Sequence, residues 1–239
     1  MSSSNRHRMP GVEIVYEDRE VVVIDKAPGL LTIEADDERT RTAYRMLTDH
    51  VRKGCARSRE RIFIVHRLDR ETSGILVFAR SEEAKRKLQD NWETVDKTYL
   101  ALVHGVPKAS EGVISTLLAE NTALRVYVTP DAAKGKPART AWRRLQDNGD
   151  RSLLSIDLLT GRKHQIRVHL AHIGHPVVGD RKYGPPEPGA KRLMLHAYSI
   201  TFNHPHTGKR LTFKTEAPRW AGKALGHEPP ETAQPKLAD

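Results

Sequence analysis

One cysteine is all the thiol that this chain of 239 residues carries. Alone, Cys55 can form no intrachain disulfide, and a zinc site built on two or more sulfurs is excluded. It lies in the basic run VRKGCARSRER, where neighbouring charge would lower a thiol pKa. Nothing nearby forms a Cys/His pair, so it reads as an ordinary loop or helix-end thiol. No apolar run reaches the roughly 18 to 20 residues needed to cross a bilayer, and the opening MSSSNRHRMPG lacks the apolar stretch of a signal peptide. Repeats of solenoid length and a clean composition break are also missing. These absences leave a cytoplasmic protein in a reducing compartment, with one folded domain and monomer as the default, as the expectation.

What is present is charge. The chain has 40 Lys and Arg against 30 Asp and Glu, a formal net charge of +10. Such an excess attracts phosphate polymers or anionic membrane surfaces, and composition does not choose between them. A 38% hydrophobic content is enough to build a core at this length.

The runs VEIVYE and VVVIDKAPG, separated by DRE, are rich in β-branched residues and predict an antiparallel strand pair. RTAYRMLTDHVRKG carries Tyr44, Leu47 and Val51 at helical spacing, with Gly54 as a stop. IFIVH and GILVFAR predict strands, and SEEAKRKLQDNW a second helix capped by Ser81. KTYLALVHG, GVISTLL, RVYVT, ARTAWRRL and RSLLSIDLLTG follow as short β-like runs, with DAAKGKPART (131–140) as a basic loop. KHQIRVHLAHIG is a short helix with Ile166, Leu170 and Ile173 on one face, ended by Gly174 and Pro176. RLMLHAYSITF and KRLTFKTE form a last antiparallel pair around HPHTGK. The order predicts an α+β fold: a mixed, mainly antiparallel central sheet with flanking helices and loops. One domain over residues 12–225 lies between flexible tails at 1–11 and 226–239.

Two clusters carry chemistry. In HRLDRETSGILVFAR, a His, two Arg and an Asp sit on a connection between apolar strands, the usual place for a functional loop. Arg67 and Arg70 would keep Asp69 ionised, as covalent catalysis by a carboxylate requires; the competing reading is a turn-capping Asp. In LLTGRKHQIRVHLAHIGHPVVGDRKYG, the cations Arg162, Lys163 and Arg167, then Arg181 and Lys182, could hold phosphates. Arg167 could equally be a solvated helix charge. His164, His169, His172 and His175 invite a metal reading, but their spacings do not share one helix face and no Asp or Glu lies between them.

HRLDRETSG resembles the HRLDxxTSG signature of the RluA-type pseudouridine synthases, and GRKHQIRVHLAHIGHPVVGDRKYG is similar to that family's GRxHQIRxH and GHPxxGDxxYG segments, in the same order. KTYLALVHG and KAPGLLT fall where the family has its K-x-Y strand and KPxGLxV motif, with Ala27 in place of the usual Pro. The resemblance runs from about Val12 to Thr215. It implies a pseudouridine synthase fold with a cleft across the sheet, and isomerisation of uridine in a ribosomal or transfer RNA stem-loop by base flipping. Asp69 is then the covalent carboxylate, acting on the sugar or on the base ring. Arg167 orients it, and Tyr99 stacks on the base and takes the proton from carbon 5. Arg67 enters the vacated stack, Leu195 walls the base pocket, and Arg70, Arg162, Lys163 and His164 complete the RNA-binding set. Isomerisation needs no cofactor, and no metal is expected. With only about a dozen residues before the first strand, the chain is expected to be a catalytic domain without the S4-type domain of many relatives. A non-catalytic RNA-binding or assembly factor of the same fold, and a metal-dependent nucleic-acid hydrolase, are the rival readings.

Overall fold

The computed structural model describes residues 9–33, 41–53, 55 and 57–223. The Gly54 helix stop and the tails at 1–8 and 226–239 lie outside these residues. Met9 already packs against the core.

The chain opens with an antiparallel pair, β1 (Val12–Glu17) and β2 (Val21–Lys26). The polar DRE turn is closed by Asp18, whose Oδ1 accepts from the Glu20 and Val21 backbone N–H groups at 2.8 Å each. Helix α1 (Ala43–Val51) is capped by Thr42 and buries Leu47 and Val51, leaving Tyr44 half-buried. The short strand β3 (Phe63–Ile64) and the fully buried β4 (Ser73–Ala79) follow. Ser81 accepts from the Ala84 N–H at 3.0 Å and starts α2 (Glu82–Asp90) as its sequence predicts.

Strands β5 (Asp96–His104), β6 (Glu111–Glu120), β7 (Val126–Thr129), β8 (Lys136–Asp147) and β9 (Arg151–Leu158) come next. Helix α3 (Gln165–His172), strands β10 (Leu195–Asn203) and β11 (Arg210–Lys214) and the short α4 (Arg219–Lys223) complete the fold. All strands join one sheet in the order β1-β2-β4-β10-β5-β9-β8-β6-β7, with β11 on β10 and β3 on β4. The β4–β10 pair is parallel and the other pairings are antiparallel. The fold is the expected α+β class. Among the described residues, no helix is long and apolar enough to cross a membrane.

The sheet is covered on both faces. Along β2 and β4, Val22, Ile24, Leu76 and Phe78 face one core with Leu47 and Leu170, while Val21, Val23, Ile75 and Val77 face another with Leu88 and Phe202. Two expectations change. Residues 131–140 are not all loop: the turn ends at Gly135 and Lys136 begins β8, where Pro137 pairs with Leu117. That stretch of β8 precedes its pairing with β9, which starts at Thr140, and a strand paired on one side tolerates proline. Helix α3 is also not amphipathic: Gln165 through Leu170 are all buried, and Ile173 is only half-buried.

The sheet centre sets the site. β4 and β10 start side by side, with Ser73 opposite His196, and β5 runs against β10 with Tyr99 opposite Ala197. The backbones close up where Gly74 meets Ala197: Gly74 has φ +112°, and an added Cβ would lie 2.1 Å from the Ala197 carbonyl oxygen. We therefore expect Gly74→Ala to cost about 3 kcal/mol or more and to lower Tm by roughly 6–12 °C in scanning calorimetry. An unchanged Tm would contradict this packing.

Candidate active site

The HRLDR loop leaves β3 and enters β4, and the earlier KAPGLLT segment fixes its backbone. The Thr32 hydroxyl donates to the Leu68 carbonyl at 3.0 Å and accepts from the Leu68 N–H at 3.3 Å. The Gly29 N–H donates to the Arg70 carbonyl at 2.9 Å. Lys26, fully buried, donates through Nζ to the carbonyls of Ala27 (3.0 Å), Leu30 (2.8 Å) and Arg70 (3.2 Å). Burial pulls its pKa down to about 8, against the pull of Glu71 and Asp69. With both neighbours of Asp69 held, its side chain has a fixed origin.

Arg167 on α3 completes the placement. Its Nη1 donates to Asp69 Oδ2 at 3.0 Å, while Nε and Nη2 grip Asp180 in a two-pronged bridge of 2.7 and 2.8 Å. Burial opposes ionisation of Asp180, but the Arg167 hydrogen bonds and charge outweigh it, helped by the Lys182 and Tyr183 backbone N–H groups, and hold its pKa below the ordinary value. The reverse holds for Arg167: burial opposes its charge, and Asp180 and Asp69 raise its pKa. Gly179 (φ +77°) makes the tight turn before Asp180, where a Cβ would strike the Arg192 carbonyl.

His164 stands beside Asp69, with Nε2 3.9 Å from Oδ2, in a left-handed conformation (φ 53°) unusual for a non-glycine residue. Its Nδ1 lies 2.7 Å from the Tyr183 hydroxyl, which accepts from the Val126 N–H at 3.1 Å. Where the hydroxyl donates to Nδ1, the neutral imidazole carries its proton on Nε2, facing Asp69. Burial lowers the His164 pKa despite the raising effect of Asp69, so the neutral form is favoured.

Asp69, Tyr99, Leu195, Arg167, His164, Arg67 and Arg162 all line one inner cavity of about 90 Å³. It continues into a cleft of about 690 Å³ that reaches Arg70, Lys163, Lys97 and Trp92. Tyr99 is buried on β5, and its pKa is raised, first by burial and then by the Asp69 charge. Arg67 is exposed at the mouth and makes no hydrogen bond or ion pair with the described residues.

Several expectations need correction. The cation against Asp69 is Arg167, not Arg67 or Arg70; Arg70 turns outward, its Nε donating to the Gly29 carbonyl at 3.1 Å. Arg167 is no solvated helix charge but is 8% exposed. Lys163 is paired with Glu120, and Arg162 Nε donates to the Pro137 carbonyl at 3.0 Å. The histidines do not converge: His169 is buried between Thr116 and Thr140, and His175 faces the His104 carbonyl. Asp180, Tyr183, Lys26 and Thr32 went unassigned in the sequence reading, although they stand inside GDRKYG and KAPGLLT. Only the fold shows that their partners are 13 to 44 positions away.

Replacing Asp180 by Asn strips the countercharge from a buried guanidinium. We expect a loss of about 3 kcal/mol, within the range for a broken buried pair. Because the folded Asp180 pKa is depressed, its contribution is present above the unfolded value, about 4, and is lost as pH falls through the folded value. Denaturant titrations from pH 7 to 3 should therefore show less acid-side loss in Asp180→Asn than in the wild type.

A family model described as RNA pseudouridylate synthase matches residues 20–172. The chain is 35% identical over 224 residues to the dual-specificity RNA pseudouridine synthase RluA of Escherichia coli K12, spanning 91% of this chain and 98% of that one. It is 36% identical over 220 residues to the ribosomal large subunit pseudouridine synthase D of Nitrosomonas europaea, covering 87% of this chain and 62% of the relative. The solved structure of human RNA pseudouridylate synthase domain containing 1 superimposes with a TM-score of 0.69 at 27% identity, over 92% and 88% of the two chains. With the fold and these matches in agreement, the chain belongs to the RNA pseudouridylate synthase family, and it is an enzyme that isomerises uridine to pseudouridine in RNA.

Proposed function

We propose that Asp69 is the covalent catalyst of this isomerisation and that Arg167, Tyr99, Arg67 and Leu195 serve it in distinct ways. The observation that carries the proposal is the buried Asp180–Arg167 bridge, from which Nη1 points at Asp69 in the inner cavity. A guanidinium anchored on one side holds a carboxylate in one orientation while keeping it charged.

The chemistry then follows in order. The Asp69 carboxylate attacks the ribose C1′ or adds to C6 of the ring, and the bond from C1′ to N1 breaks with its electron pair on the base. The base turns, C5 bonds to C1′, the carboxylate is released, C5 loses its proton and N1 gains one. Nothing is oxidised or reduced, so positioning, a nucleophile and proton transfer suffice.

Tyr99 begins as a neutral phenol, because burial and the Asp69 charge both oppose its ionisation. Once Asp69 is engaged in a covalent bond its charge disappears, and one of those two causes goes with it. While that bond lasts the phenol gives its own proton more easily to the base nitrogen freed from C1′, which leaves a phenolate to take the proton from C5. Leu195, 3% exposed, is an apolar wall for the base, and the unpaired Arg67 at the mouth suits the gap left by a flipped nucleotide. His164, with its Nε2 proton directed into the cavity, is suited to a base oxygen.

For the RNA we favour a stem-loop in ribosomal or transfer RNA, where a base can be splayed out; the ribosomal part is supported by the similarity to the ribosomal large subunit pseudouridine synthase D of Nitrosomonas europaea. We read residues 12–225 as the catalytic domain and the protein as a monomer of a reducing cytoplasm, in keeping with a lone, exposed Cys55. A non-catalytic RNA-binding role would leave the arrangement around Asp69 without a purpose.

Asp69→Ala should abolish pseudouridine formation, assayed by tritium release from C5-labelled RNA, while RNA affinity stays within a few-fold of wild type. Full activity in that variant would overturn the proposal. Tyr99→Phe keeps the stacking face and should lower kcat by about 100-fold with KM little changed. A rise in KM alone would assign Tyr99 to binding only.

A further inference from the structure

We propose that a cationic basin behind the nucleophile loop is a second RNA-binding site, one that takes internucleotide phosphates next to the flipped uridine. The proposal rests on the reading of the chain as an RNA-modifying enzyme and adds a site that the cleft does not contain. The basin has a volume of about 340 Å³ and is walled by Arg125, Arg167, Arg181, Lys182, Lys191 and Arg192, with Glu71 as its acid. Asp69 lines the cleft and Glu71 the basin, so the short loop between them divides the two cavities. Arg167 lines both, and a strand whose uridine enters the cleft has its neighbouring backbone within reach of the basin.

The state of the cations favours phosphate. On the cleft side, Lys163 is already paired with Glu120, and Arg162 is tied to a carbonyl. Around the basin, Arg167 is paired with Asp180 and Asp69, whereas the partners of the other cations among the described residues are neutral or missing. Arg181 and Lys191 are exposed and make no hydrogen bond or ion pair with the described residues. Lys182 Nζ donates to the Leu124 carbonyl at 2.7 Å, and Arg192 donates to Ser73 Oγ at 2.5 Å and to the Leu193 carbonyl at 3.3 Å. Such partners orient a cation without neutralising it, and like charges gathered in one hollow repel until an anion enters.

The hollow is also built before any ligand arrives. The Tyr183 ring holds Arg125, Arg167 and Lys182 at 5.2, 5.1 and 5.9 Å from its centre, and its hydroxyl is locked by Val126 and His164. Three cations from three parts of the chain are thereby gathered around one aromatic ring. A concave site of fixed cations with bidentate guanidinium groups matches a phosphodiester backbone better than a flat anionic surface.

The test is the double variant Arg181→Ala/Lys191→Ala, with Lys191→Glu as a second probe. Both positions are exposed and outside the catalytic machinery, and unchanged thermal melts would verify folding. For a stem-loop RNA substrate we expect Kd and KM to rise at least tenfold at 0.1 M salt, with kcat at saturating RNA within about twofold of wild type. The slope of log K against log salt should fall in magnitude by about 1.5, the change for two lost phosphate contacts. Unchanged Kd and salt slope would overturn the proposal, as would a fall in kcat at constant KM. Inorganic triphosphate provides the other arm: if the variant loses triphosphate binding but keeps RNA affinity, the basin serves a free polyphosphate and the RNA assignment fails. Should the wild-type enzyme form no pseudouridine while its RNA binding still responds to these substitutions, the basin would stand and the catalytic reading would fall.

Discussion

The site depends on one guanidinium shared between two carboxylates. Arg167 is 8% exposed, and a charge so placed is tolerable only because Asp180 meets it with two short hydrogen bonds and is itself satisfied by two backbone N–H groups. The bridge uses Nε and Nη2 and leaves Nη1 to aim at Asp69. Asp180 does not line the cleft, yet through Arg167 it decides where the Asp69 carboxylate points. The other half of the constraint comes from the chain's first hairpin, where Lys26, Gly29 and Thr32 tie down the backbone of Leu68 and Arg70 on either side of Asp69. One set of contacts fixes the origin of the carboxylate and the other its direction.

The sheet makes both possible. The parallel pairing of β4 with β10 brings two strand starts together, and Gly74 allows them to meet closely beside Tyr99. β5 adds Tyr99 from the adjoining strand, and α3, buried through its first six residues, delivers His164 and Arg167 from the other side. Tyr183 then faces two ways: its hydroxyl bonds His164 Nδ1 on the cleft side, and its ring gathers cations on the basin side.

Much of this was legible in the amino-acid sequence. The β-branched strand runs, the Ser81 cap and the closing hairpin follow from local rules, and the structure has them as expected. Asp69 stood out because charges on a connection between apolar strands signal a functional loop. Its partner came only from the family resemblance: local charge pointed to Arg67 and Arg70, nearest in sequence, whereas Arg167 is 98 positions away. Local reasoning also misjudged α3, since an apolar periodicity cannot reveal that polar residues such as Gln165 and His169 are buried with their partners. Most of β8 was expected from ARTAWRRL, but its start hid behind Gly135 and Pro137, which read as loop until the one-sided pairing with β6 is seen. Distant, charge-satisfied burial is what a sequence pattern fails to encode.

The central claim, that Asp180 acts on the chemistry only through Arg167, is tested most directly by a double-mutant cycle. Single-turnover rate constants for pseudouridine formation would be measured in the wild type, Arg167→Lys, Asp180→Asn and the double variant. The account predicts that Asp180→Asn costs little once Arg167 is Lys, giving a coupling energy of about 2 kcal/mol. Additive effects, within about 0.5 kcal/mol, would contradict it.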